Sequence, residues 1–179
     1  MTAPMATMPR AELGERLRTA ARLEGHFTLR SGRAASTYFD KYRFEADPVL
    51  LAAVAAHLVP FVPADTEVLA GLELGGVPVA TALSLATGVP AAFVRKQAKE
   101  YGTARLAEGA DIDGRRVVVV EDVVTSGGQV VRSTAALRAI GADIAVALSV
   151  VDRGQGGPEV LAADGLELRA LFTGAELDV

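Results

Sequence analysis

The 179-residue chain predicts an α/β fold of three layers, a central parallel sheet flanked by helices. Three observations carry this. Strand-like and helix-like segments alternate through the last two-thirds of the sequence, the pattern of a parallel sheet with crossover helices. Half the residues are hydrophobic but only 5% are aromatic, so Ala, Val and Leu must supply the core, as between stacked helices and a doubly covered sheet. Finally, "VVVV" at positions 117–120 is apolar on both faces and β-branched, which suits a strand buried on both sides. The length fits one domain, with a small N-terminal region to about residue 45 and a core from about residue 46. No repeat or Pro/Gly/Ser-rich linker divides it.

The elements follow in order. Arg10–Gly25 is amphipathic and ends at a Gly suited to the position after a helix. His26–Phe44 mixes alternation with turn residues, which reads as short strands. Asp47 can cap the next helix with Pro48 at its first position. That helix includes the apolar run Val49–Val62, which contains His57 and Pro60 and is too short to span a bilayer. Residues 67–72 read as a strand, 75–88 as a helix and 90–95 as a strand. Residues 115–122 are a strand ending on two acids, and 128–141 a helix closing at Gly141. A strand over 143–152, a helix over 157–165 and a last strand over 166–172 complete the chain.

Charge and composition exclude several classes of function. A net charge of -4 and a pI near 5.2 exert no bulk pull on nucleic acid or anionic membrane. An anion must therefore be held by a local basic patch. The absence of cysteine removes disulfides and thiolate metal sites and is compatible with a cytoplasmic setting. The first seventeen residues lack the apolar centre of a signal peptide.

The chemistry concentrates at "VVVVEDVVTSGGQ". Glu121 and Asp122 fall at the carboxyl end of a buried strand, where ligands bind in open α/β sheets. Thr125, Ser126, Gly127, Gly128 and Gln129 follow and lead into a helix. Their backbone N–H groups and hydroxyls, with the helix dipole, make an anion cradle that two glycines let a phosphate approach closely. Carboxylates beside a phosphate cradle suit the hydroxyls of a ribose 5-phosphate. The plainer alternative is a solvated strand end with an ordinary turn. A second concentration is basic: Arg95, Lys96, Lys99 and Arg105 lie within eleven positions, with Gly102 and Gly109 interrupting the stretch. It is either a solvated face or a loop that closes on an anionic leaving group, whose developing charge it stabilises.

The 117–129 block resembles the phosphoribosyl-diphosphate signature of type I phosphoribosyltransferases. "RKQAKEYG" resembles the catalytic loop of the orotate phosphoribosyltransferases within that family, "FTLRSGRAASTYF" their N-terminal hood, "AGLELGGVPVA" their diphosphate turn, and "VVDRG" the strand end that holds their base. The motifs stand in the family's order from about His26 onward. The resemblance implies the type I phosphoribosyltransferase fold with a hood, and transfer of the phosphoribosyl group from 5-phosphoribosyl 1-diphosphate to orotate in pyrimidine biosynthesis. It implies that Glu121 and Asp122 bind the ribose hydroxyls, that Thr125–Gln129 bind the 5-phosphate with Thr125 also near the base, and that Gly75 meets diphosphate through its backbone where some members carry a Lys. Arg95, Lys96 and Lys99 then carry catalysis with Asp122. Tyr101 stands where the family has a His and is a hydrogen-bond donor rather than a base at neutral pH. Arg153 becomes the partner of orotate, as its planar fork suits a carboxylate; a loop Arg paired with Asp152 is the alternative. Tyr38 and Phe39 would cover the pyrimidine, or serve as core aromatics. Arg30 would reach diphosphate or base.

The same resemblance implies Mg²⁺ held mainly by substrate oxygens, with no direct protein ligand. It further implies a cytoplasmic homodimer whose basic loop closes over the neighbour's site, and partners that include neither nucleic acid nor membrane. A transferase for another base and a non-catalytic phosphoribosyl-diphosphate-binding regulator are the competing readings.

Overall fold

The computed structural model describes residues 8–28, 32, 34–97 and 106–179. The chain opens with helix α1 (Arg10–Ala21), hairpin strands β1 (Arg22–Thr28) and β2 (Ala34–Phe39), and a one-turn helix α2 (Tyr42–Glu45). Helix α3 (Pro48–Leu58) follows, then β3 (Val68–Leu72), α4 (Gly76–Thr87), β4 (Ala91–Val94) and β5 (Ala107–Gly109). The rest alternates: β6 (Arg116–Val124), α5 (Gly128–Arg138), β7 (Asp143–Asp152), α6 (Gly157–Ala163), β8 (Glu167–Thr173) and a last turn α7 (Gly174–Leu177). Six strands form one sheet in the order β5-β4-β3-β6-β7-β8. All neighbours are parallel except the short edge strand β5, which is antiparallel to β4.

The four valines behave as their pattern requires. Val118 and Val120 join a core layer with Leu13 and Leu17 of α1, Phe44 of α2, Leu50 and Val54 of α3 and Leu83 of α4. Val117 and Val119 join the opposite layer with Leu137 of α5 and Leu161 of α6. Successive side chains on a strand point to opposite faces, so a doubly covered strand is apolar at every position. Asp47 caps α3, its carboxylate accepting from the N–H groups of Val49 (2.8 Å) and Leu50 (3.1 Å), with Pro48 in the first turn. Among the described residues no helix is long and apolar enough to cross a membrane.

The structure corrects several boundaries. The first helix ends at Ala21, not Gly25: Arg22, Leu23 and Glu24 pair with Phe39, Tyr38 and Thr37. Tertiary pairing with β2 overrides the helical periodicity, and Gly25 falls in the irregularity between Glu24 and Phe27. The strand ending on the two acids continues to Val124, because Val123 and Val124 pair with Val151 and Asp152 of β7. Gly109 belongs to strand β5 rather than interrupting a loop. Residues 42–44, expected as strand, form the one-turn helix α2, and the helix expected through Val62 ends at Leu58, where Val59–Phe61 tighten into a 3-10 turn around Pro60. Strand β5 and helix α7 have no counterpart in the sequence, being too short for a period to show.

The sheet order reverses between β3 and β6. From β3 the chain moves outward to β4 and β5, then returns to the other side of β3 for β6, β7 and β8. Such a reversal opens a crevice beyond the carboxyl ends of the two strands, and the site lies there.

Candidate active site

The segments after β3, β4, β6 and β7 meet the hood at a cavity of about 670 Å³. From β6 and its turn come Glu121, Thr125, Ser126, Gly127, Gly128 and Gln129; from α5 comes Arg132. Glu73 and Leu74 follow β3, Lys96 follows β4 and Arg153 follows β7, while Tyr38, Phe39, Lys41 and Tyr42 come from the hood. Most sequence-predicted residues among those described thus line one cavity. Lys99, Tyr101 and Arg30 lie outside the described residues.

The turn after β6 has the build of an anion cradle. Gly127 precedes α5 at φ 76 and a Cβ there would stand 2.4 Å from Leu161 Cδ1, so both its backbone angle and its packing require glycine. Thr125 and Ser126 are exposed. Gln129 does not stand free: its Nε2 donates to Ser133 Oγ at 3.1 Å and its Oε1 accepts from Arg132 Nη2 at 3.0 Å. This network folds the Arg132 guanidinium back to 3.5 Å from where a Gly128 Cβ would be. Arg132 carries no signal of its own in the sequence, because its i, i+3 relation to Gln129 is that of ordinary helix surface.

Glu121 and Asp122 do not share the cavity. Alternation sends Asp122 after Val118 and Val120 toward α2 and α4. It is wholly buried, 0% exposed, and Glu121, at 8%, is the one that lines the cavity. Lys41 Nζ lies 2.5 Å from Asp122 Oδ2 as an ion pair, and Val123 N–H donates to Asp122 Oδ1 at 2.6 Å. Against the same carboxylate sits Glu45 of α2, itself only 7% exposed. Gly75 makes the room: a Cβ there would stand 1.6 Å from Asp122 Oδ2 and 2.8 Å from Glu45 Oε1. Glu45 Oε1 has no other hydrogen-bond partner, and a proton on it directed at Asp122 Oδ2, which also holds the Lys41 ammonium, satisfies it.

Electrostatics agree with that placement. Burial, then the hydrogen bond and charge of Asp122, push the Glu45 carboxyl up to about 9. Burial and the Asp122 contact likewise push Glu121 well above the ordinary carboxylate range. Burial opposes the Asp122 charge too, but hydrogen bonds from Glu121 and Glu45 and the Lys41 ammonium outweigh it, so Asp122 falls below its ordinary value. A carboxyl raised in the folded state stabilises below its unfolded value, near 4.5, and that contribution is lost as pH rises through about 9. Melting temperature should therefore decline from pH 5 to pH 9 more steeply in the parent than in Glu45→Gln, which keeps a donor and cannot ionise. Parallel profiles would show Glu45 ionised throughout.

Arg153 is a cation of the cavity wall. It leaves β7 with its N–H bonded to Val124 O at 2.9 Å. Asp152, the partner offered by the plainer reading, accepts instead from Gly154 N–H at 3.0 Å. Among the described residues Arg153 makes no ion pair, and its buried Nε has no acceptor. Tyr38 and Phe39 divide the roles proposed for them. Phe39 packs on Phe44 of the core at 6.3 Å, whereas Tyr38 is 46% exposed and tilts against Phe27 at 5.5 Å. Both line this cavity and a second of about 330 Å³ that also borders Arg153. Lys96 borders the larger cavity with its N–H donating to Glu73 Oε2 at 3.3 Å. Arg95 is held by its backbone to Leu106 O at 2.9 Å and does not line the wall.

Comparison with known proteins places this arrangement. Residues 32–168 match the phosphoribosyl transferase domain family. An orotate phosphoribosyltransferase of Nocardioides sp. is 55% identical over 168 residues, covering 94% of this chain and 94% of its own. One from Halobacterium salinarum is 50% identical over 153 residues, covering 86% and 87%. The crystal structure of Mycobacterium tuberculosis orotate phosphoribosyltransferase in complex with 5-phospho-alpha-D-ribosyl 1-diphosphate superposes with a TM-score of 0.82 at 34% identity. That match covers 95% of this chain and 99% of that one.

Proposed function

The chain belongs to the phosphoribosyl transferase domain family, and from that membership we propose that its cavity transfers the phosphoribosyl group of 5-phosphoribosyl 1-diphosphate to orotate. The observation that carries the reading is the unpaired Arg153 facing the same cavity as the β6 turn and Glu121. One end of the cavity holds a phosphate and a sugar, the other a planar anion.

The step breaks the bond from the sugar's anomeric carbon to diphosphate and forms one from that carbon to an orotate ring nitrogen, whose proton passes to the departing diphosphate or to water. Orotidine 5-monophosphate and diphosphate are the products. The N–H groups of 125–129 and the Arg132 guanidinium hold the 5-phosphate. Glu121 accepts from a ribose hydroxyl. Arg153 aligns the base by its carboxylate, and Tyr38 covers the ring. Lys96, with Lys99, stabilises the charge that develops on the departing diphosphate, and closure keeps water from the sugar cation.

Mg²⁺ fits this donor set as an ion that arrives with substrate. Asp122 is already bound to Lys41, so diphosphate and ribose oxygens would hold the ion, with the Glu73 carboxylate beside Lys96 available to its water shell. When bound it supplies neutralisation of diphosphate charge. The reading also makes the protein a cytoplasmic homodimer in which Lys99 serves the partner's site.

Orotate-dependent release of diphosphate from 5-phosphoribosyl 1-diphosphate by the purified protein is the test. Release with another base but not with orotate would move the assignment to that base. Binding of phosphoribosyl diphosphate without turnover on any base would make the protein a regulator. A narrower expectation concerns Arg153. Arg153→Lys keeps the charge but loses the two-pronged fork, so KM for orotate should rise about tenfold or more while KM for phosphoribosyl diphosphate stays nearly constant. Equal rises in both would assign Arg153 to the fold or to diphosphate.

A further inference from the structure

The Asp122–Lys41 pair has an orientation that the ribose role alone does not explain. Asp122 is fully buried and does not border the cavity, while Lys41 does. The Lys41 side chain retains 31% of its exposure even with its ammonium on Asp122 Oδ2. The turn after β3, where a diphosphate would lie, runs Glu73–Leu74–Gly75–Gly76 and carries no cation of its own. The space a side chain on Gly75 would fill is taken by Asp122 Oδ2. Thus an ammonium delivered from the hood sits beside a turn that lacks one. Its approach is set by a buried carboxylate, and that carboxylate is backed by Glu45, whose Oε1 faces the same point.

We infer that Lys41 is a diphosphate-binding residue of this site, aimed into the cavity by Asp122, with Glu45 bracing Asp122 from behind. This rests on the phosphoribosyl-transfer reading and names which part of the substrate the hood recognises. Two features give the arrangement its geometry. Lys41 stands at the junction of β2 and α2, where its carbonyl accepts from the N–H groups of Phe44 (3.2 Å) and Glu45 (3.3 Å), so its backbone is fixed. Its ammonium lies 5.3 Å from the Tyr42 ring centroid as well as on Asp122, which holds the side chain along the cavity wall. An ammonium shared between a buried carboxylate and a phosphate oxygen uses two of its three donors. The hood is thereby tied to both the sheet and the leaving group.

Calorimetry separates the parts of the substrate. Inorganic diphosphate and ribose 5-phosphate serve as probes, the second lacking the diphosphate altogether. Lys41→Met should weaken diphosphate binding about tenfold or more, the loss of one charge-assisted contact, and leave ribose 5-phosphate within about twofold. Lys41→Arg, which keeps a cation of similar reach, should recover most of the diphosphate affinity and guards against a variant that merely misfolds. In turnover, Lys41→Met should raise KM for phosphoribosyl diphosphate and not that for orotate. Unchanged diphosphate affinity in Lys41→Met would overturn the inference. So would equal loss of diphosphate and ribose 5-phosphate in both variants, which is the signature of a collapsed hood. Because the probes need neither orotate nor turnover, parent protein that binds both yet releases no diphosphate with orotate would sink the orotate assignment and leave the Lys41 result standing.

Discussion

Gly75→Ala should lower the melting temperature by about 10 °C and weaken phosphoribosyl diphosphate binding about 100-fold. Gly75 has φ -69 and ψ -27, ordinary right-handed backbone, so the position does not need glycine's conformational freedom. It needs glycine's size. A Cβ would stand 1.6 Å from Asp122 Oδ2 and 2.3 Å from its Cγ, distances no two heavy atoms tolerate without a bond. Asp122 cannot rotate away cheaply. It is fully buried, its Oδ1 accepts from Val123 N–H, and its Oδ2 holds Lys41. The methyl must therefore break the Lys41 pair or displace the entry to α4. Disrupting a buried charge pair costs about 3–5 kcal/mol, and the lower figure applies because Lys41 can swing to water. For a chain of this size about 3 kcal/mol is near 10 °C, and the same amount falling on binding is two powers of ten. Gly128→Ala is the internal comparison. Its Cβ would meet only Arg132 Nη1 at 3.5 Å, so it should melt where the parent does. Differential scanning calorimetry reads both. A Gly75→Ala protein with parental melting and parental affinity would show that Asp122 is not held as described.

Mixing two inactive variants should restore activity. Lys99→Ala removes one contact to the developing diphosphate charge, and a preorganised contact of that kind is worth about 10²–10³ in rate. Asp122→Asn leaves Lys41 without its counter-ion and should be nearly as inactive at limiting substrate. If the basic segment serves the neighbouring subunit, a heterodimer has one site with Asp122 from one chain and Lys99 from the other. Its second site carries both defects and stays silent. Activity should therefore return as subunits exchange, toward about a quarter of the parental rate, since half of the dimers are mixed and half of their sites intact. Mass spectrometry confirms exchange independently. Confirmed exchange without activity would place Lys99 in the site of its own chain, and recovery in unmixed Lys99→Ala on adding high substrate would demote it from catalysis to binding.

Much of this protein is written where period and composition are strong. The four valines announced a strand buried on both faces, Asp47–Pro48 announced a helix start, and the small residues at 125–129 announced the tight turn into α5, because each depends on neighbours within a few positions of the chain. The unpaired state of Arg153 was legible only as an alternative to pairing with Asp152, and the structure decided it, since Asp152 turns to the Gly154 N–H instead. The end of α1 was decided by the pairing of residues 22–24 with 37–39, a contact that no local pattern contains. The different fates of Glu121 and Asp122 were implicit in strand alternation, but adjacent acids read naturally as one ligand pair until the strand was seen to continue to Val124. The Lys41–Asp122–Glu45 cluster and the space left by Gly75 had no sequence signal at all. They join three segments separated by up to 81 positions, and long-range electrostatic complementarity of that kind exists only once the sheet has brought α2, the α4 entry and β6 together.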